Sequence, residues 1–158
     1  MHIENTLEIY DNGSSLAIES HRLKSTGTDF GYGEDVISIA LIDDDEDFGA
    51  LMEYLGTEYG VNIIHFRSMT DLGSVGRLAD FDAVVLDYKL DQITGIEIAE
   101  YLDAFFPWIP AILTSGEEYF SDKKELPKSI STFISKSCGA ANIIRAAQFA
   151  FKYENALG

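Results

Sequence analysis

From Val36 onward the apolar positions switch between two periods, and each switch predicts an element. Residues 37–42 (ISIALI) are a continuous apolar run of strand length, while 45–60 (DEDFGALMEYLGTEYG) carry Phe48, Leu51, Met52, Leu55 and Tyr59 at helical spacing. A second strand follows at 61–66 (VNIIHF), and Thr70–Leu78 predicts a helix weakened by Gly73 and Gly76. The third strand is 82–87 (DAVVLD). Thr94 is placed to cap a helix through Ile96, Ile98, Ala99 and Leu102 that stops near Pro107, and 109–115 (IPAILTS) read as the fourth strand. A short polar helix over 116–125 ends before Pro127, 130–135 (ISTFIS) form the fifth strand, and 140–157 form a long fifth helix. Five apolar strands alternating with five helices predict an α/β fold whose parallel sheet is covered on both faces.

Residues 1–35 follow neither period and are rich in Gly, Ser, Asn and charge. Their two apolar runs, Leu7–Tyr10 and Leu16–Ile18, flank Asn12-Gly13, a pair that tolerates positive φ, so a β-hairpin over 7–18 competes with an unstructured tail. His21 to Asp35 read as a flexible linker.

Composition narrows the classes. With 27 acidic and 11 basic residues the formal net charge is −16, which repels phosphate backbones and anionic lipid and argues against nucleic-acid or membrane partners. No run of 18 apolar residues and no signal peptide is present, and the single Cys138 has no disulfide partner, so a soluble, cytoplasmic protein is expected. Cys138 carries no sign of reactivity, and His2, His21 and His65 are too scattered for a metal or phosphotransfer site and read as structural or surface residues.

Right-handed crossovers put every strand C-terminus on one edge of such a sheet, where ligands collect. Those ends carry Asp43 and Asp44 after the first strand, Asp87 on the third, Thr114 and Ser115 on the fourth, and Lys136 just past the fifth. Alone, an acidic run at a helix start is usually capping and dipole compensation, and Asp45 reads as an N-terminal helix charge and not a ligand. Three carboxylates, a hydroxyl and an ammonium converging on one edge are a different matter.

The acidic pair in IDDDEDF, the Asp87-to-Gly95 spacing, Thr114-Ser115 and F133ISK136 make residues 36–158 resemble the CheY-like receiver domain of two-component response regulators. The resemblance implies a flavodoxin-like, doubly wound, five-stranded parallel sheet of order 2-1-3-4-5. It implies that Asp87 accepts a phosphoryl group from a histidine kinase or a histidine phosphotransfer protein. Mg2+, or another divalent ion such as Mn2+, would be ligated by Asp44 and Asp87 directly, by Asp43 largely through water, and by the backbone carbonyl of Lys89. Lys136 would pair with Asp87 and then with a phosphoryl oxygen. The Thr114 hydroxyl would bond another oxygen, and Phe133 would swing inward to repack the surface of the fourth helix, fifth strand and fifth helix. A downstream target protein, or a second copy forming a homodimer, would read that surface.

Some positions depart from the family. Asp91 and Ser137 stand where proline is common, and Ser115 stands where Ala or Gly is usual. Lys89 is placed to cover the path of hydrolytic water, and it occupies the position where an aspartyl phosphatase needs a general acid. A phosphoacceptor, not an enzyme, is therefore expected. The resemblance ends with the last helix, so no output domain and output by protein contact are expected; of its two apolar stripes, Ile144, Ala147 and Phe151 and Ile143, Ala146, Ala150 and Tyr153, one is expected on the sheet and the other on a partner or second copy, with cover by the N-terminal tail as the alternative. The alternative is an interaction module that uses helix five or the N-terminal extension without phosphorylation.

Overall fold

The computed structural model describes residues 36–116 and 125–157. The chain divides into two units, Met1–Gly33 and Glu34–Gly158. The predicted hairpin and linker lie outside the described residues, as does nearly all of the polar helix predicted over 116–125.

The described elements are β1 (Ser38–Ile42), α1 (Glu46–Glu58), β2 (Asn62–Phe66), α2 (Met69–Leu72), a 3-10 turn (Val75–Asp80), β3 (Ala83–Asp87), α3 (Gly95–Phe105), β4 (Ala111–Ser115), β5 (Ile130–Ser135), a second 3-10 turn (Lys136–Cys138) and α4 (Ala140–Leu157), the C-terminal helix. All strand pairs are parallel, in the order β2-β1-β3-β4-β5. The central strands are covered on both sides, which is why they read as continuous apolar runs and not as alternating ones. Ala40, Ile42, Val84 and Leu86 point to one core with Leu78, Ile98 and Leu102; Ile39, Leu41 and Val85 point to the other with Met52, Ile143 and Ala147.

Local chemistry sets the helix starts. Asp45 caps α1, accepting from the Phe48 N–H (3.0 Å). Thr94 caps α3 in a reciprocal box with Glu97: the Glu97 N–H donates to Thr94 Oγ1 (3.2 Å) and the Thr94 N–H to Glu97 Oε2 (2.7 Å). The Thr94 N–H and the Thr94 hydroxyl (3.0 Å), both donating to Glu97 Oε2, hold the Glu97 carboxyl below its ordinary pKa.

Two expectations need correction. The helix predicted over Thr70–Leu78 is instead the single turn α2 and a separate 3-10 turn, because Gly73 adopts φ +86 and ends the first. The two apolar stripes of the C-terminal helix do not divide between sheet and partner. Ile143 and Ala150 from one, and Ile144 and Ala147 from the other, are all buried, since they fall within one broad arc of the helix. Its exposed apolar line is Phe149, Tyr153 and Leu157, with the first two rings stacked at 6.3 Å.

Candidate functional site

The C-terminal ends of β1 and β3 place Asp43, Asp44 and Asp87 together, with ligand oxygens from the three all within 4.8 Å of one another. Asp43 is fully buried and Asp87 is 7 % exposed, whereas Asp44 is open to solvent. Asp87 sits at the end of β3, where its register partner on β4 is Thr114. Lys136, just beyond β5, brings Nζ within 2.6 Å of Asp43 Oδ2 and 3.7 Å of Asp87 Oδ1.

The lysine thus spans both carboxylates and approaches Asp43 more closely than Asp87. The resemblance pairs it with Asp87 alone. Its Nζ also stands 4.7 Å from the centre of the Phe48 ring, a cation–π contact from the first turn of α1 that the sequence pattern does not reveal. Phe48 reads there simply as a core position of the helix.

Burial is the chief reason the Asp87 carboxyl is pushed up from 3.8 to about 6, and the charges of Asp43 and Asp44 push the same way. Lys136 and the Tyr88 N–H act against them. Negative charge at this strand end is therefore crowded and underpaid by protein donors.

Residues around Asp87 are held by short backbone links. Tyr88 N–H donates to the Thr114 carbonyl (2.8 Å), and Gly95 N–H donates to the Tyr88 carbonyl (3.1 Å), closing the loop after β3. A Cβ on Gly95 would stand 2.5 Å from the Asp87 carbonyl oxygen, which explains why a glycine is required eight positions after Asp87. Lys89 is exposed and forms an isolated antiparallel bridge with Thr94 across that loop. Thr114 is fully buried, and its hydroxyl donates to the Leu86 carbonyl at 3.2 Å. Phe133, paired in register with Leu113, is half-buried against the α3-side core. Asp45, the α1 cap, is exposed, and Cys138 is an exposed free thiol.

The donor set fits a divalent cation. Its ligands are all carboxylate oxygens, which suit hard ions such as Mg2+ and Mn2+. One of them, Asp43 Oδ2, is buried without a hydrogen bond, and its close contact with Lys136 supplies charge but no well-aligned donor.

Among solved structures, the chain is similar to a CheY-like response regulator receiver domain protein from Methanospirillum hungatei (TM-score 0.68, 16% identity, 78% of this chain and 99% of that one). It is also similar to a response regulator receiver domain protein from Clostridium thermocellum (TM-score 0.67, 18% identity, 78% and 100%). A third is the response regulator TrrA from Thermotoga maritima in complex with Mg(2+)-BeF (TM-score 0.63, 20% identity, 73% and 99%). No curated protein matches the chain. The class these likenesses define is a flavodoxin-like receiver fold. The sequence pattern of the response regulator receiver domain matches residues 39–148, and the chain belongs to that family. Among the described residues no helix is long and apolar enough to cross a membrane.

Proposed function

We propose that the protein is the phosphoacceptor of a two-component phosphorelay in the cytoplasm, taking a phosphoryl group on Asp87 from the phosphohistidine of a kinase or phosphotransfer protein. The observation that carries this reading is the convergence of Asp43, Asp44, Asp87 and Lys136 from three strand ends onto one small volume. In the transfer, the donor P–N bond breaks, a P–O bond forms to an Asp87 carboxylate oxygen, and the departing imidazole nitrogen takes a proton from solvent.

Asp43, Asp44 and Asp87 would hold Mg2+ or Mn2+, with the Lys89 carbonyl as a further ligand, and the bound cation supplies positive charge against the phosphoryl oxygens. Lys136 supplies a second positive charge, moving the short distance from the Asp43–Asp87 pair to a phosphoryl oxygen. Thr114 exchanges its bond to Leu86 for one to the phosphoryl group. The movement draws its loop inward and makes room for Phe133, changing the surface a target protein or a second copy reads. In this scheme the protein is a substrate of its donor and not a turnover enzyme.

Incubation with a small phosphodonor and Mg2+ tests the reading by intact mass spectrometry. A single phosphoryl adduct is expected on the wild type and none on Asp87→Asn. An adduct that survives the substitution, or none on the wild type, refutes it. The exposed Phe149–Tyr153–Leu157 line supports a second reading, an interaction module that works without phosphorylation. Partner binding that is indifferent to Asp87→Asn and to phosphodonor would favour that one.

A further inference from the structure

Asp43 presents four polar groups, and three have partners on β2, in the next turn of the chain or in the site. Its N–H donates to the Phe66 carbonyl (3.0 Å), the last rung between β1 and β2. Its Oδ1 accepts from the Asp45 N–H (3.0 Å), and its Oδ2 faces Lys136. The fourth group, the Asp43 carbonyl, lies one step past the end of the ladder, where β2 offers it no further backbone donor. The His65 ring meets it, with Nε2 at 2.6 Å. A carbonyl only accepts, so the ring proton is on Nε2.

His65 is itself braced from α1. Its N–H, on an edge strand, donates to Glu53 Oε1 at 3.0 Å. Its ring lies directly against the backbone of Gly49, where an added Cβ would overlap Nδ1, Cε1 and Cγ. Glycine is a poor helix former, and the seat of this ring accounts for its presence at the fourth position of α1.

We propose that His65 is a positioning residue of the acidic site. Seated in the space left by Gly49, it holds the Asp43 carbonyl and so orients the peptide plane between Asp43 and Asp44, the two residues whose carboxylates meet Asp87. Asp44 is exposed and has no hydrogen bond or ion pair among the described residues, so its direction depends on that peptide plane. The inference rests on the metal-binding reading of the site given above.

Titrating Mg2+ into the full chain by isothermal calorimetry, without phosphodonor, tests it, with circular dichroism to verify that each variant is folded. His65→Leu should weaken Mg2+ binding about 10-fold, the scale typical of residues that orient metal ligands, while His65→Gln, which keeps a side-chain N–H donor, should restore most of it. Gly49→Ala should also weaken binding although alanine favours the helix, and should add no further loss in the presence of His65→Leu. The Gly49 variant keeps the test open if His65→Leu does not fold. Unchanged affinity in His65→Leu and Gly49→Ala, or a Gln variant as weak as Leu, overturns the positioning role and leaves the site reading intact. A wild-type chain that shows no saturable Mg2+ binding overturns the metal reading, and the positioning role with it.

Discussion

Removing the charge of Asp87 should make the protein more stable, and the size of the gain follows from the site. Asp87 is 7 % exposed, lies among the carboxylates of Asp43 and Asp44, and has its pKa raised from 3.8 to about 6, chiefly by burial. A folded-state pKa above the unfolded one means the native state binds the extra proton. The associated stability is therefore present below pH 3.8 and is lost as pH rises through about 6. A shift of roughly 2 units corresponds to about 3 kcal/mol, and solvent reaching the edge of the site brings the expected gain nearer about 2 kcal/mol. Asp87→Asn keeps the volume and removes the charge. Lys136 then loses only its 3.7 Å contact and keeps the 2.6 Å one to Asp43. In chelator at pH about 8, urea denaturation should show the variant more stable by about 2 kcal/mol, or about 6 °C in Tm. At pH about 5 roughly half the advantage should remain, because wild-type Asp87 is then mostly protonated when folded. Excess Mg2+ should also shrink it by stabilising the wild type. A variant no more stable than wild type at pH about 8 without metal would refute the claim that charge is crowded at this strand end.

Other substitutions probe neighbouring parts of the fold. Gly95→Ala should cost about 1–3 kcal/mol by overpacking against the Asp87 carbonyl and Leu113, and calorimetry should show Mg2+ binding weakened with it. Burial raises the Asp103 carboxyl, but the Ser129 and Lys128 N–H bonds, both 2.7 Å, outweigh it and hold the pKa below its ordinary value. Its contribution is thus present above pH 3.8 and lost as pH falls, and Asp103→Ala should cost about 1–3 kcal/mol at neutral pH in the same urea assay. Lys89→Ala should shorten the lifetime of phosphorylated protein several-fold, followed as loss of the phosphoryl adduct with time. An unchanged decay rate removes Lys89 as a shield against water.

The strand ends were legible before the fold because a parallel sheet leaves little choice. Apolar runs such as ISIALI and DAVVLD are buried on both faces, and their last residues must emerge on the same edge. Asp43, Asp44, Asp87, Thr114 and Lys136 could therefore be assigned to one region from spacing alone. The helix between β2 and β3 was less legible, since a weak apolar pattern does not reveal that Gly73 has positive φ. The two apolar stripes of the C-terminal helix do not separate in the fold for a related reason: periodicity identifies stripes, but the width of the buried arc depends on the neighbours that cover it.

What the amino-acid order determined by itself was the alternation of strand and helix, the cap at Thr94, the acidic start of α1, and the set of charged residues at the strand ends. Each follows from local sterics or from a period in the chain. Tertiary structure alone decided who pairs with whom: Lys136 leaning on Asp43, the Phe48 ring beneath it, Gly95 against the Asp87 carbonyl, and His65 reaching Asp43 through the space at Gly49. These contacts join residues up to 93 positions apart, as with Asp43 and Lys136. Their geometry depends on strand register and helix packing, to which no local pattern is sensitive.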